Sequence, residues 1–195
     1  MRFYDVGDGA IRIGGRDVRT IPAGELHNYF GIAMQNDFIY ADTIRENIRF
    51  GRELSEEQIR HAAAMAQASD FIEAFPDGYE HMLSSKGTNI SGGQKQRLLI
   101  SRALAGNPDI LILDDSSSAL DYKTDANLRA AIAEGMKGTT TIVVAQRISS
   151  IKHADLILVL DEGAIIGMGD HAHLMEHCEI YREISESQMG GAFVE

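Results

Sequence analysis

At 195 residues and 44% hydrophobic, the chain is long enough to bury a sizeable core and fits one domain or a little more. Its 18 Lys and Arg against 29 Asp and Glu leave a net charge of -11, which argues against nucleic acid as a partner, because that needs a basic footprint. The single Cys178 admits no internal disulfide, and apolar runs such as Leu156-Ile157-Leu158-Val159-Leu160 fall far short of the ~20 residues of a membrane-spanning helix. A reducing setting is therefore expected, with any membrane link supplied by other segments.

Taken in order, Ala10-Ile11-Arg12-Ile13 and Gly31-Ile32-Ala33-Met34 read as strands, the second ending just before Gln35. Ser55-Glu56-Glu57-Gln58 is a capping box that opens a helix through Ala68, and Pro76-Asp77-Gly78 ends a short helix after Asp70. Ser91 and Gln94 form a second capping box, opening a helix from Gly92 to about Gly106, where Gly106-Asn107-Pro108 stops it. Asp109-Ile110-Leu111-Ile112-Leu113-Asp114-Asp115 reads as a buried strand ending in two carboxylates, followed by a helix from Tyr122 to about Met136. Thr140-Thr141-Ile142-Val143-Val144-Ala145 reads as the next buried strand. Leu156 to Leu160, the turn Asp161-Glu162-Gly163-Ala164 and Ile165-Ile166 read as a hairpin, and Tyr181 to Gln188 as a closing helix. Strands alternating with helices predict an α/β fold around a mostly parallel sheet.

Two features carry chemistry. The helix start at Ser91, Gly92 and Gly93 combines a serine cap with glycines that let an anion reach the backbone N–H groups. Asp114 closes an apolar strand at its carboxyl end, where ligands of open α/β sheets bind and where a carboxylate can hold Mg²⁺ against nucleotide phosphates.

With these residues in hand, the chain resembles the nucleotide-binding domain of the ATP-binding cassette (ABC) transporters. Asn89-Ile90-Ser91-Gly92-Gly93-Gln94-Lys95-Gln96-Arg97 resembles the signature motif, Ile110 to Asp114 the Walker B strand, Ser118 to Asp121 the D-loop, and Gln35 the Q-loop glutamine. The run Phe38-Ile39-Tyr40-Ala41-Asp42-Thr43-Ile44-Arg45-Glu46-Asn47-Ile48 resembles the segment after the Q-loop in the exporter branch of multidrug, lipid and peptide exporters. The resemblance implies a P-loop NTPase-type, RecA-like sheet, with a helical subdomain inserted at about 36–106 that carries the signature helix. Residues 1–35 and 107–195 would supply the rest of a single partial domain. It further implies ATP as substrate, Mg²⁺ held by Asp114 and Gln35, and nucleotide contacts from Gln35, Ser91, Gly92, Gly93, Gln94 and Asp121. The implied partners are a second nucleotide-binding domain and transmembrane domains that hold the chain at the cytoplasmic face of the membrane.

Three departures qualify the resemblance. The chain contains no Gly-Lys dipeptide and hence no G-x-x-x-x-G-K-[ST] loop; Met1 falls just past the place of Walker A, which implies a copy truncated after that motif. Asp115 stands where exporters carry a catalytic glutamate, and Gln146 where they carry a switch histidine, so the catalytic positions Asp115 and Gln146 resemble the degenerate site of one subunit of a heterodimeric exporter. Ser85, within Leu83-Ser84-Ser85-Lys86-Gly87, replaces a glutamate upstream of the signature. The rival readings are an inactive remnant or non-catalytic interaction module, and a soluble ABC ATPase; the latter would lack Thr43-Ile44-Arg45-Glu46-Asn47-Ile48.

Overall fold

The structure, a computed structural model, describes residues 2–35 and 37–190. They fall into two compact units that divide after Val144.

The first unit opens with a tight antiparallel pair, β1 (Arg12–Ile13) and β2 (Arg16–Asp17). Next come α1 (Ala23–Asn28), β3 (Phe30–Ala33), α2 (Ile44–Arg49), α3 (Glu56–Met65), α4 (Ser69–Glu73) and α5 (Gly92–Leu104). Strand β4 (Ile110–Asp114), α6 (Tyr122–Gly135) and β5 (Thr140–Val144) complete it. The expected parallel sheet is formed by β3, β4 and β5 in that order, with Ala33 opposite Leu113 and Asp114 opposite Val144. This register brings the carboxyl ends of the strands level and sets Gln35, Asp114 and Asp115 at one edge of the sheet.

Local chemistry explains the helix limits. Both capping boxes form: Ser55 opens α3 and Ser91 opens α5, each serine hydroxyl accepting from the N3 amide and each N3 glutamine reaching back to the cap. Helix α3 stops at Met65, short of the expected Ala68. Gln67 turns left-handed at φ 58°, and the amides of Ala68 and Gln67 bond back to the carbonyls of Ala63 and Ala64, the double bond of a Schellman C-cap. Alanine propensity favours continuing the helix; burial of Ala66 and Ala68 overrides it.

The core of this unit packs α5 onto the sheet and α2 and α3 onto α5, with Ile44, Ile48, Ile59, Ile100 and Leu111 fully buried. Helix α5 approaches β3 so closely that a Cβ on Gly31 would lie 2.2 Å from the Ala103 carbonyl oxygen, so only glycine fits there. Polar pegs fix the α2–α5 contact. Buried Asn47 accepts from the Tyr40 amide at 2.9 Å and donates to the carbonyls of Tyr40 and Thr43. Arg102, 5% exposed, donates to the Asn47 carbonyl at 2.8 Å and lies 4.5 Å from the Phe50 ring centroid. Burial pulls its guanidinium below the ordinary arginine value.

Strand β5 departs from expectation. Its sequence predicts a buried strand, yet Thr140 to Val144 are all exposed, Val144 at 54%. It is the edge strand, paired with β4 alone among the described residues, so its apolar side chains lack cover that only a further neighbour can give.

The second unit comprises α7 (Ile148–Ile151), β6 (Ile157–Asp161), β7 (Ala164–Gly169), α8 (His171–His177) and α9 (Glu179–Gly190). Strands β6 and β7 form the expected hairpin, its turn carrying Glu162 and Gly163 at φ 46° and 80°, the signature of a type I′ turn. Ile148, Ile157, Leu174, Cys178 and Tyr181 make a small core, while Leu158, Leu160, Ile165 and Met168 remain exposed.

Exposed apolar strands in both units predict that the isolated chain self-associates. Sedimentation velocity is expected to show species larger than a monomer, and lysine at Val144 together with lysine at Leu160 should shift the distribution toward monomer. A sharp monomer peak from the unaltered chain contradicts this reading of β5 and the hairpin.

Candidate functional site

The residues singled out in the first unit gather at two adjoining places. At the carboxyl edge of the sheet, Gln35 lies two residues beyond β3, Asp114 is the last residue of β4, and Asp115 follows in the left-handed region at φ 45°. The Asp115 amide donates to the Val144 carbonyl at 2.8 Å, carrying the ladder one step past the strand. Gln35 Nε2 donates to Asp115 Oδ2 at 2.9 Å, joining the ends of β3 and β4 through side chains 80 residues apart. A carboxylate only accepts hydrogen bonds, so this contact fixes the amide with Nε2 toward Asp115. Gln35 Oε1 is left for another donor or a cation.

The second place is the start of α5. The Gln94 amide donates to Ser91 Oγ at 3.2 Å and the Ser91 amide to Gln94 Oε1 at 2.9 Å, so both side chains close the cap. The first amides of a helix have no partner within it, and here they belong to Gly92 and Gly93. A Cβ on Gly92 would meet only the Ala119 Cβ at 3.7 Å, an ordinary contact, whereas one on Gly93 would sit 3.2 Å from the Ala119 carbonyl oxygen. The helix start is positioned from behind by Arg97, which donates to the Gln67 carbonyl at 2.6 Å and stacks 4.6 Å from the Phe71 centroid. It is approached from upstream by a loop in which Asn89 Oδ1 accepts from the Ser84 amide at 2.9 Å. Ser85 lies there in a short 3₁₀ turn with Lys86 at φ 64°.

Residues 115–121 run between the two places. Ser118 Oγ donates to the Asp115 carbonyl, and Gln96 of α5 bonds both Ser118 Oγ and the Ala119 amide. Asp121 ends this loop as the N-cap of α6, accepting from the Thr124 amide at 2.9 Å and the Thr124 hydroxyl at 2.7 Å. The amide bond from Thr124 and then its hydroxyl hold the Asp121 carboxyl below the usual carboxylate range. Gln96 was not singled out as a site residue, although it falls inside the stretch that resembles the signature motif; that it faces the loop and not water is set by contacts the sequence does not show.

Gln146 belongs to the second unit. It precedes α7, and its carbonyl accepts from Gln188 Nε2 at 2.7 Å, which ties the entry of α7 to α9.

The donor set Asp114 and Gln35 is all oxygen, as magnesium requires. Among the described residues no group of three or more His, Cys, Asp or Glu could hold a metal alone. The set therefore fits an ion that takes one or two protein ligands and completes its shell from phosphate and water, which is the habit of Mg²⁺.

Comparison with known proteins agrees with this geometry. The ABC transporter family model matches residues 1–118. An uncharacterized ABC transporter ATP-binding protein of Bacillus subtilis is 44% identical over 188 residues, covering 96% of this chain and 32% of that protein. An ATP-dependent lipid A-core flippase of Vibrio cholerae is 42% identical over 191 residues, covering 97% of this chain and 33% of the flippase. The solved structure of a bacterial Atm1-family ABC exporter with ATP bound superposes with a TM-score of 0.92 at 37% identity, over 96% of this chain and 33% of that one. The chain thus spans about a third of the length of each of these relatives. The likeness also establishes the mixed α/β architecture as that of an ABC exporter nucleotide-binding domain. No described helix is long and apolar enough to cross a membrane.

The glycine environments give a stability test. Gly92→Ala, whose Cβ would make an ordinary contact with Ala119, should stabilise the fold by about 0.5–1 kcal/mol, while Gly93→Asp should destabilise it by crowding the Ala119 carbonyl with a carboxylate. Thermal denaturation of the two variants side by side is expected to move in opposite directions; equal shifts contradict the placement of the 115–121 loop against α5.

Proposed function

The chain belongs to the ABC transporter family, and we propose that it is the ATP-binding portion of an exporter, working in a pair with a second nucleotide-binding domain and driving transmembrane segments from the cytoplasmic face of the membrane. The observation that carries this reading is the pairing of a capped, glycine-started helix at Ser91 with a Gln35–Asp115 contact at the carboxyl edge of the sheet. One place suits the γ-phosphate end of a nucleotide presented by another subunit, the other a nucleotide held by this chain's own fold.

Each residue then has a task. Asp114 and Gln35 Oε1 would hold Mg²⁺, which, when bound with the nucleotide, supplies positive charge against the phosphate oxygens. Ser91 Oγ and the amides of Gly92 and Gly93, at the positive end of a 13-residue helix, stabilise phosphate charge at the partner's site. Gln94 acts by holding Ser91 in the cap. Asp121 anchors the loop 115–121 to α6 through both its oxygens, each of which keeps a second acceptor position for a nucleotide hydroxyl or a bridging water.

Two substitutions, each within its own unit, weaken this chain's own catalytic equipment relative to the partner's. Asp115 carries its carboxylate one methylene nearer the backbone than glutamate does, and a group misplaced by ~1 Å can lose on the order of 10²-fold in rate. Its bond from Gln35 also engages one oxygen that a general base would need for water. Gln146 can hydrogen-bond phosphate but cannot take up the proton that gives histidine its positive charge. The nucleotide contacts that a lysine-bearing phosphate loop makes have no counterpart in the sequence given.

Two outcomes are expected. The 195-residue chain alone should show no tight Mg-ATP binding by calorimetry, and a micromolar dissociation constant contradicts the dependence on a phosphate loop. In the assembled exporter, Asp115→Asn should leave most of the steady-state ATPase rate, whereas Gln in place of the partner's catalytic glutamate should remove nearly all of it. Equal losses contradict the unequal-site reading. Because Gly92→Ala keeps the backbone amide and leaves the fold intact or firmer, its expected ATPase loss reports crowding of the phosphate approach and not cap strength; turnover near that of the unaltered protein contradicts a signature helix acting on the partner's nucleotide.

A further inference from the structure

Gln96 spends both ends of its carboxamide on one loop. Nε2 donates to Ser118 Oγ at 3.1 Å, and Oε1 accepts from the Ala119 amide at 2.8 Å. Ser118 Oγ in turn donates to the Asp115 carbonyl at 3.0 Å, and Asp115 Oδ2 accepts from Gln35 at 2.9 Å. A continuous run of hydrogen bonds therefore leads from Gln35, past Asp115 and Ser118, to the helix that begins at Ser91.

The run resists separation of its two ends. Separating α5 from the loop breaks two hydrogen bonds at once, because the planar amide can serve Ser118 and Ala119 only from one orientation. The absence of a side chain at Gly93 is what lets the loop stand this close, since a Cβ there would lie 3.2 Å from the Ala119 carbonyl oxygen. The helix start and residues 115–121 are thus constrained to move as one piece. Each bond alone adds little net stability, so the arrangement is a poor source of stability but a good constraint on position.

We propose that Gln96 is a positioning residue that couples the two nucleotide sites: nucleotide seated on Ser91–Gly93 by the partner domain sets the position of α5, and Gln96 passes that position to the loop that carries Asp115. The proposal rests on the reading that Ser91–Gly93 serves the partner's nucleotide. It explains why a polar side chain one turn inside the helix faces a loop rather than water, which a solvated helix residue does not require. The coupling is local and mechanical, through one side chain and one loop whose positions both sites bias.

The test is amide hydrogen exchange on the chain assembled with its transmembrane segments and partner domain, with and without ATP, the partner's catalytic glutamate being replaced by Gln to retain the nucleotide. In the unaltered chain, ATP should slow exchange both at 91–95 and at 117–121. In Gln96→Ala, alanine keeps α5 helical, so slowing at 91–95 should persist while slowing at 117–121 is lost; without ATP, the Ala119 amide should exchange on the order of tenfold faster. Gln96→Glu keeps the acceptor for the Ala119 amide and should restore much of the response at 117–121, which a role in packing alone does not predict. If Gln96→Ala retains ATP-dependent slowing in both segments, the coupling proposal is overturned while the reading of the signature helix stands. If ATP fails to slow exchange at 91–95 in the unaltered chain, that reading falls, and the coupling with it.

Discussion

The close approach of α5 to β3 at Gly31 is the constraint on which the rest of the first unit depends. With the Ala103 carbonyl oxygen 2.2 Å from where a Cβ would stand, backbone meets backbone without an intervening side chain. That contact seats the carboxyl end of α5 on the sheet, and a helix is stiff over its 13 residues, so the position of its start at Ser91 follows from the position of its end. The same sheet, through its in-line register, sets Gln35 and Asp115 at hydrogen-bonding distance. A phosphate-binding helix start and a carboxylate-bearing strand end are therefore placed relative to each other by packing, before any ligand arrives.

Polar groups inside this packing specify more than they stabilise. Arg102 and Asn47 are buried, and the arginine suffers desolvation. Their bonds to the Tyr40 and Asn47 backbone fix the segment after β3 against α5. The stacking of Arg102 near Phe50 holds a half-exposed ring in a left-handed C-cap, a conformation a bulky residue rarely adopts.

Much of this was legible in sequence, and for identifiable reasons. Capping boxes are local, so Ser55 and Ser91 announce their helices by side-chain type and spacing alone, and the Glu162-Gly163 turn announces its hairpin in the same way. The apolar run ending in Asp114 reads as a strand because few other elements bury so short a run. What failed was non-local. Strand β5 has the composition of a buried strand, but burial depends on what lies beside it, which no window of sequence contains. The break at Gln67 arises from the burial of Ala66 and Ala68 and defeats helix propensity. Gln96 and Arg102 gain their meaning only from partners 22 to 55 residues away.

The central proposal is that this chain offers its signature helix to a partner's ATP while Asp115, in place of a glutamate, slows hydrolysis at its own site. The most direct measurement is the chemical state of the nucleotides trapped in the assembled exporter after a brief incubation with Mg-ATP and rapid removal of free nucleotide. The account predicts one retained ATP, at the site containing Asp115, for each ADP produced at the partner's site; two ADP per transporter, formed at equal rates, would contradict it.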